Sequence, residues 1–592
     1  MENYLLITLG HNSSAIFVDN SQYYTNKKPF IIGYEEERFS RIKADSQFPI
    51  DAINEIIFNV GFAKIKGCKI MISHWFNFAE ATIPNKYITL HDINFLAEIS
   101  NDVEYVSEDF THHDAHAYSA YEFRDYFKQQ EGNTPVFCII ADGFGNNEEV
   151  LSIYRRDTNK KPQLLNRIYG YEHSLGLFYQ YATSAVGMKE NQDEYKFLGY
   201  EAHIDEVLNP ETDAYAFTYL TSKSDELIEE FTDSFSDYKN TKMPKCESVL
   251  DFKKLDEVKQ KWHDYFADVL EQLNLFREEQ HSFKARTIIA FLIQRTVESV
   301  IRNLAISYGM KDICLAGGLF YNVKLNNVVL KYAKSVGGTV SIMPLAGDQG
   351  AAIGMYAHKK FFTNQFPFDT LAIGPRRLYN IKKYSDYENI IVKSMPYGYD
   401  KAYKKEIATE IAQHISNGRI VDLVCGNMEF GPRALCNTSS LFLPSPKLTA
   451  ENNANNLRNE VMPCAPVIKE CYMPEMFDVS DYECVIGSTR FMICTLNYGR
   501  WYSDIYGGVM HKETMKNSYT GRPQVVSDDS IMGTVLSLIS QNTNIKCLVN
   551  TSFNVHGNPI VFDTADILSN YKFQCEHAEK NGTEKPILYI LV

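Results

Sequence analysis

The chain has no cysteine framework: its twelve cysteines are scattered singly, and no C-x-x-C pair occurs. That distribution suits a reducing cytoplasm and excludes both a disulfide scaffold and a cysteine zinc knuckle. No apolar run approaches the ~18 residues of a membrane span. The opening MENYLLITLGHNSS lacks a basic region before its short apolar stretch, so it reads as a buried strand and not as a signal peptide. Positive charge is in deficit, with 59 Lys and Arg against 74 Asp and Glu and a net charge of −15. Such a balance disfavours an extended grip on nucleic-acid phosphates but leaves room for one basic pocket. Repeats of 20–50 residues and low-complexity tracts are absent, which removes solenoids and arrays.

What is present is a large core. Of 592 residues, 45% are apolar, and because single cores stop growing at ~250–300 residues, at least two domains are expected. The first third alternates short apolar runs with Gly and Asn turns: YLLITLG (4–10), AIFV (15–18), FIIGYEEE (30–37), KIMISHW (69–75) and VFCIIADG (136–143). These predict strands of a mixed sheet with helices between some of them. From about 224 to 308 the pattern turns helical, with Ile289, Leu292, Val297, Val300, Ile301 and Leu304 on one face and an end at Tyr308-Gly309. Strands follow at DICLAGG (312–318) and TVSIMPLAG (339–347). The segment FPFDTLAIGPRRLYN (366–380), with its prolines and charge, reads as a linker, and a boundary is expected near 370–385. Beyond it come a helix (402–417), the strand IVDLV (420–424) and a second set of Gly, Arg and Asn-rich loops.

Three groups of residues could carry chemistry. In THHDAHAYSA (111–120), with Asp109 or Thr111 as cap, His112 and His116 stand one helical turn apart and can share a divalent cation. An isolated H-x-x-x-H is more often a pair of packed histidines. Here Asp142 ends an apolar run and Asp348 sits in a glycine loop after another, the positions where parallel sheets present ligand groups. Two His with two Asp suit Fe(II), Mn(II) or Zn(II). The loops LGHNSSAIF (9–17), LAGGLFYN (315–322) and LAGDQGAAIG (345–354) let backbone approach an anion or nucleoside, and the first carries His11, a candidate base. After the expected boundary, CGNMEFGPRALCNTSSL (425–441) sets Arg433 beside Asn437, Thr438 and Ser439, and LVNTSFNVHGNPIV (548–561) offers a second polar loop; Arg with amides and hydroxyls suits phosphate or carboxylate.

At these motifs the chain resembles the O-carbamoyltransferases of the nodulation-protein and tobramycin/cephamycin carbamoyltransferase type. The resemblance runs nearly end to end, through GHNSSA (10–15), EEERFSRIKADSQFP (35–49), HHDAHAYSA (112–120), HSLGLFY (173–179), DEYKFLG (193–199), LAGGLFYN, LAGDQGAAIG, MEFGPRAL (428–435), RNEVMPCAPVI (458–468) and NTSFNVHGNPIV (550–561). It implies an α/β fold: an actin-like, threonylcarbamoyl-transferase-like domain over 1–370 with a helical insertion at about 200–285, and a YrdC-like domain over 385–592 that forms an adenylate. It further implies that ATP, with Mg, and carbamoyl phosphate give carbamoyl-adenylate, whose carbamoyl group passes to a hydroxyl. His112, His116, Asp142 and Asp348 then match metal ligands, with Fe(II) first and Mn or Zn as alternatives, and His11 matches the histidine beside the reacting carbonyl, His113 being the alternative base. Lys196, Gly317, Gly318, Asn322, Arg433, Asn437, Thr438, Ser439, Arg458, Asn550, Ser552 and Asn554 are expected to bind the nucleotide and carbamoyl-adenylate.

Relatives commonly read G-P-R-A-L-G-x-R-S where this chain has GPRALCNTS, so Cys436 stands for a glycine and Thr438 for an arginine, with Arg458 the expected compensation. Met462 and Cys464 likewise stand where relatives have Arg and Phe. The acceptor is expected to be a small molecule such as a sugar or natural product, or a nucleotide or DNA base, with selectivity in the insertion. No membrane partner is expected, a homodimer is compatible, and the location is the cytoplasm, or the host cytoplasm for a phage-encoded chain. Two rival readings are a threonylcarbamoyl-adenylate-dependent tRNA-modifying enzyme and a non-catalytic binding protein that keeps the fold.

Overall fold

The short apolar runs become central strands because their two faces are both covered, which is why they read as continuous and not alternating. In the computed structural model, β1 (Tyr4–Thr8), β2 (Ser14–Asp19), β3 (Phe30–Glu35), β4 (Lys69–Ser73) and β5 (Val103–Tyr105) form one sheet in the order β3-β2-β1-β4-β5. The first three are antiparallel, and β4 and β5 run parallel to β1. β6 (Val136–Ala141), β7 (Glu149–Arg156), β8 (Gln163–Tyr169), β9 (Asp312–Ala316) and β10 (Val340–Ile342) repeat the same order and directions. This duplicated sheet is the topology of the actin-like superfold. Its repeat unit is longer than 50 residues and preserves direction and order of strands, not residues, so a search for sequence periodicity does not meet it. The structure describes all residues except 1, 23–27, 77–83, 129–133, 159, 210, 245–251, 276–278, 361–365, 395–400, 459–460, 462–463, 500–502 and 514–517.

Two helices fill the space between the sheets. His112–Phe127 packs on β6 and β9, Ala351–Lys360 packs on β1 and β4, and the two helices lie against each other. Their approach is close: a Cβ at Gly354 would stand 1.7 Å from the carbonyl oxygen of Ala115. Between β8 and β9 the chain runs through the helices Leu175–Ala185, Ala214–Ser236, Phe252–Gln272 and Phe283–Ser307. The last buries Ile289, Leu292, Val297, Val300, Ile301 and Leu304, the face read from spacing, and it stops at Gly309, whose φ is +58°. Among the described residues, no helix is long and apolar enough to cross a membrane.

The C-terminal part is a seven-stranded mixed sheet. From one edge to the other it is built of Ile390–Lys393, Ile587–Leu591, Val421–Cys425, Thr438–Phe442, Cys547–Ser552, Ala465–Lys469 and Gln524–Val526. Strand parity divides its faces: Ile587, Tyr589 and Leu591 enter the core under the helices Lys401–Ser416 and Ile531–Thr543, while Leu588 and Ile590 enter the core under Thr564–Asn581. The segment 366–380 is not the free tether its composition suggests. Phe366, Phe368 and Leu371 are buried in the core of the N-terminal half, and Ala372–Gly374 pairs with Met428–Glu429. Its apolar residues have a core within reach, and burial outweighs the turn-forming preference of the prolines.

Gly354→Ala should lower the thermal midpoint by an amount corresponding to about 1–3 kcal/mol, the usual cost of overpacking. An unchanged melting curve would show that the two helices do not need this approach.

Candidate metal centre and transfer cavity

The helix carrying the two histidines starts where every first-turn N–H finds an acceptor. Thr111, not Asp109, is the cap, forming a capping box with Asp114. The His112 N–H donates to Asn146 Oδ1 at 2.7 Å and the His113 N–H to Glu149 Oε1 at 2.9 Å. Asn146 is held in turn by donating to the carbonyls of His74 and Phe76, and Glu149 by Arg167 at 3.2 Å. These bonds fix the rotation of the helix, so that residues 112 and 116 face the ends of β6 and β10.

Four side chains meet there. The Nε2 atoms of His112 and His116 are 3.1 Å apart. His112 Nε2 is 3.4 Å from both Asp142 Oδ2 and Asp348 Oδ1, and His116 Nε2 is 3.3 and 3.7 Å from the same two oxygens. All four are buried, and their ligand atoms lie within 4.8 Å of one another. Edges of this length match about 3.3–3.6 Å expected between neighbouring ligands of a tetrahedron with bonds of ~2.0–2.2 Å. Two imidazole nitrogens and two carboxylate oxygens at such spacing require a shared proton or a cation, and the donor set fits a divalent metal. The second oxygen of Asp142 accepts from the N–H groups of Gly143 (2.8 Å) and Gly318 (3.1 Å), which turns Oδ2 toward the histidines. Gly318 therefore acts first on this ligand, and a Cβ there would fall 2.9 Å from Asp142 Oδ1, while Gly317, with φ +99°, packs against the Ala141 backbone. Burial alone would keep His112 neutral, but the facing Asp348 and Asp142 carboxylates push it up to about 10, while both carboxylates are held low by the two imidazoles.

Asp142 and Asp348 open on a cavity of about 680 Å³ whose opposite wall comes from the C-terminal sheet. His11 lines it from the β1–β2 turn, with Nδ1 2.5 Å from the Asn12 amide nitrogen and Nε2 buried without a partner. Arg433, Arg458, Asn550, Ser552 and Asn554 line the far wall. Arg458 braces the 550–554 loop, donating to the Ser552 carbonyl at 2.7 Å and to Asn554 Oδ1 at 3.0 Å. Asn322 also reaches the cavity, although its amide is engaged by Gln294 and by capping the helix Val323–Ser335. Cys436 adopts φ +72°, the backbone shape that suits the glycine of relatives.

Other expected residues stand elsewhere. His113 is packed behind the helix with Nδ1 2.8 Å from Ser152 Oγ, outside the cavity lining, and burial holds its ring neutral. Asn437, Thr438 and Ser439 are not in the lining either. The N–H groups of Asn437 and Thr438 and the Thr438 hydroxyl satisfy the buried Glu429, at 2.9, 3.0 and 2.6 Å, and Ser439 Oγ accepts from the Cys436 N–H. The need of that buried carboxylate for donors turns this polar run inward. Lys196 bonds Asp193 and His556 in a smaller adjoining pocket of about 180 Å³. Cys464 lines the main cavity, and Met462 lies outside the described residues.

Two cavity-lining cations were not among the expected site residues, although Lys43 lies within the EEERFSRIKADSQFP motif. Lys43 and Arg522 line the cavity beside Arg433. Burial lowers the Lys43 ammonium, opposed by the Glu37 and Asp193 carboxylates and reinforced by Lys196 and Arg433; Arg522 is pushed down by burial and then by Arg433, and Arg433 by burial. None of the three forms a direct ion pair with a described carboxylate, although Glu37 and Asp193 act on Lys43 from farther off. Gly521-Arg522-Pro523 after a strand echoes Gly431-Pro432-Arg433, and that echo is the signal that could have found Arg522.

Fold and site together define a two-lobed α/β group-transfer enzyme, with a cation cluster and an anion-binding wall on one cavity. The carbamoyltransferase N-terminus family model matches residues 100–357 and the carbamoyltransferase C-terminus model residues 412–576, and the chain belongs to this carbamoyltransferase family. It is 25% identical over 570 residues to an uncharacterized protein of Methanocaldococcus jannaschii, covering 95% of each chain. It is 24% identical to nodulation protein NolNO of Sinorhizobium fredii, covering 95% of this chain and 77% of that one. Among solved structures it has weak similarity to full-length HypF in its phosphate- and nucleotide-bound form (TM-score 0.29, 13% identity, 61% of this chain and 47% of that one). A P. abyssi Sua5 variant aligns with TM-score 0.23 and 11% identity over 34% of this chain and 49% of that one.

Metal ligands must be deprotonated, and His112 in the metal-free site keeps its proton up to about pH 10. Metal affinity should therefore rise with pH below that value, by about tenfold per unit for each proton displaced. Chelator competition at several pH values checks this; affinity independent of pH would contradict it, and His116→Ala should abolish stoichiometric metal.

Proposed function

We propose that the protein makes carbamoyl-adenylate from carbamoyl phosphate and ATP and transfers its carbamoyl group to an acceptor hydroxyl, that of a sugar, nucleoside, hydroxymethylated base or natural product. The observation that carries this reading is one cavity bounded by both a four-ligand His/Asp cluster and three cationic side chains, Lys43, Arg433 and Arg522, that make no direct ion pair with a described carboxylate. A carbamate carbonyl is a poor electrophile, and a mixed anhydride with AMP supplies a good leaving group. Water first releases carbamate and inorganic phosphate from carbamoyl phosphate. A carbamate oxygen then attacks the α-phosphorus of ATP and pyrophosphate leaves. Finally the acceptor oxygen attacks the carbamoyl carbon, the bond to the AMP oxygen breaks, and the hydroxyl proton passes to a base.

Lys43, Arg433 and Arg522 hold the phosphate groups through charge-assisted hydrogen bonds, strong here because the wall is half-closed to water. ATP arrives with Mg. A divalent cation at His112, His116, Asp142 and Asp348, Fe(II) before Mn(II) or Zn(II), supplies a Lewis acid for a carbonyl or phosphoryl oxygen. His11 takes the acceptor proton at Nε2, a role that suits an imidazole. This requires Nδ1 to donate to the Asn12 amide oxygen, with that amide turned over from its present orientation.

His11→Asn should leave ATP–pyrophosphate exchange intact and slow transfer by roughly 10²–10⁴-fold; equal loss of both would sink the assignment. Arg522→Met should raise the KM for carbamoyl phosphate or ATP by at least about tenfold, since a charged hydrogen bond contributes ~1.5–3 kcal/mol; unchanged KM values would remove Arg522 from the anion site.

A further inference from the structure

Set into the cavity wall is a buried ion pair to which no step above assigns a role. Glu35, at the end of β3, and Arg38 have side-chain exposures of 2% and 1% and are joined at 2.6 Å. Glu35 divides its oxygens between the lobes. Oε1 accepts from the amide of Gln349 at 3.3 Å, the residue next to the ligand Asp348, and Oε2 accepts from the N–H of Gly431 at 3.0 Å, two residues before Arg433. Arg38 completes the grip by donating to the Gly431 carbonyl at 2.9 Å and to Glu37 at 2.7 Å. Gly431 is thus held by both of its backbone polar groups. It has φ +101°, and a Cβ there would fall 2.5 Å from Leu345 Cδ2, so no other residue fits the clamp without displacement.

The loop is pinned at its other end as well, where Glu429 Oε1 accepts from the N–H groups of Leu435 and Asn437 at 2.7 and 2.9 Å. Arg433 therefore rises from a stalk fixed on both sides while its own guanidinium makes no ion pair with a described carboxylate. A buried ion pair is a poor stabilising device, because desolvation offsets most of its attraction and apolar packing does as well. What it supplies that apolar packing cannot is directional hold on two backbone groups.

We propose that Glu35 and Arg38 are positioning residues, whose shared grip on Gln349 and Gly431 sets the placement of Arg433 relative to the metal cluster. The inference rests on the proposed function for its kinetic consequence but not for its binding consequence. A displacement of about 1 Å in such a group can cost up to ~10²-fold. In Glu35→Gln, the Kd of inorganic phosphate by calorimetry and the KM for carbamoyl phosphate should both rise by about tenfold or more, with metal content per chain unchanged. A merely structural role would lower the melting midpoint and the active fraction, hence kcat, and leave phosphate Kd and KM alone. Phosphate Kd and KM within about twofold of the parent in folded, metal-replete Glu35→Gln would overturn the proposal. Should that variant fail to fold, Gly431→Ala decides, since it disturbs the stalk with both charged residues intact: weakened phosphate binding supports the clamp, and unchanged binding overturns it. If the parent enzyme turns over no carbamoyl phosphate with ATP, the proposed reaction fails, and the phosphate titration still tests the positioning.

Discussion

Two imidazole nitrogens and two carboxylate oxygens brought within hydrogen-bonding distance in a buried setting cannot rest there without a proton or a cation to share. Much of the N-terminal half serves that requirement. Thr111, Asn146 and Glu149 consume the first-turn N–H groups and so fix the rotation of the helix bearing His112 and His116. Gly354 lets the neighbouring helix come within backbone contact. Gly143 and Gly318 take up the second oxygen of Asp142, leaving the first for the cluster. Each is a local solution to a buried polar group, and together they determine where a cation sits relative to the cavity.

The second organising feature is charge separation. The molecule is acidic overall, at −15, yet Lys43, Arg433 and Arg522 line one cavity with no described carboxylate in direct ion-pair contact. Concentrating like charge in a half-closed wall costs energy, which an anionic ligand recovers. Acidic groups are not absent from that wall; they are engaged. Glu35 and Glu37 belong to Arg38, Asp142 and Asp348 to the histidines, and Glu194 accepts from the Asn191 N–H at 2.6 Å. The cavity thereby sets a His/Asp cluster that could hold a cation on one side against a wall of cationic side chains on the other.

Several parts of this were readable along the chain. The strands at 4–8, 136–141 and 312–316 and the face of Phe283–Ser307 follow from apolar runs and helical spacing, whereas the grouping of His112, His116, Asp142 and Asp348 was expected from the family resemblance and not from spacing. Other features were not. The polar run Asn437–Ser439 reads as an open loop but turns inward to satisfy Glu429, and His113 differs from its neighbours only in the direction its helix happens to point it. Arg522 follows the short strand Tyr519–Gly521, where the only local signal is the resemblance of Gly521-Arg522-Pro523 to Gly431-Pro432-Arg433. The segment 366–380 has the composition of a tether, yet a nearby core and a strand partner bind it down.

By itself the sequence determined the residue types that can hold a cation and an anion, and the local elements that carry them, because those depend on spacing within one turn or one strand. Only the tertiary structure decided which of the polar residues face the cavity and which support it, and that the metal loop and the Arg433 loop share one carboxylate, Glu35. The reason is physical. Whether a buried polar group is spent on its neighbours or left for a ligand depends on how many donors and acceptors surround it, and those come from segments hundreds of residues away in the chain.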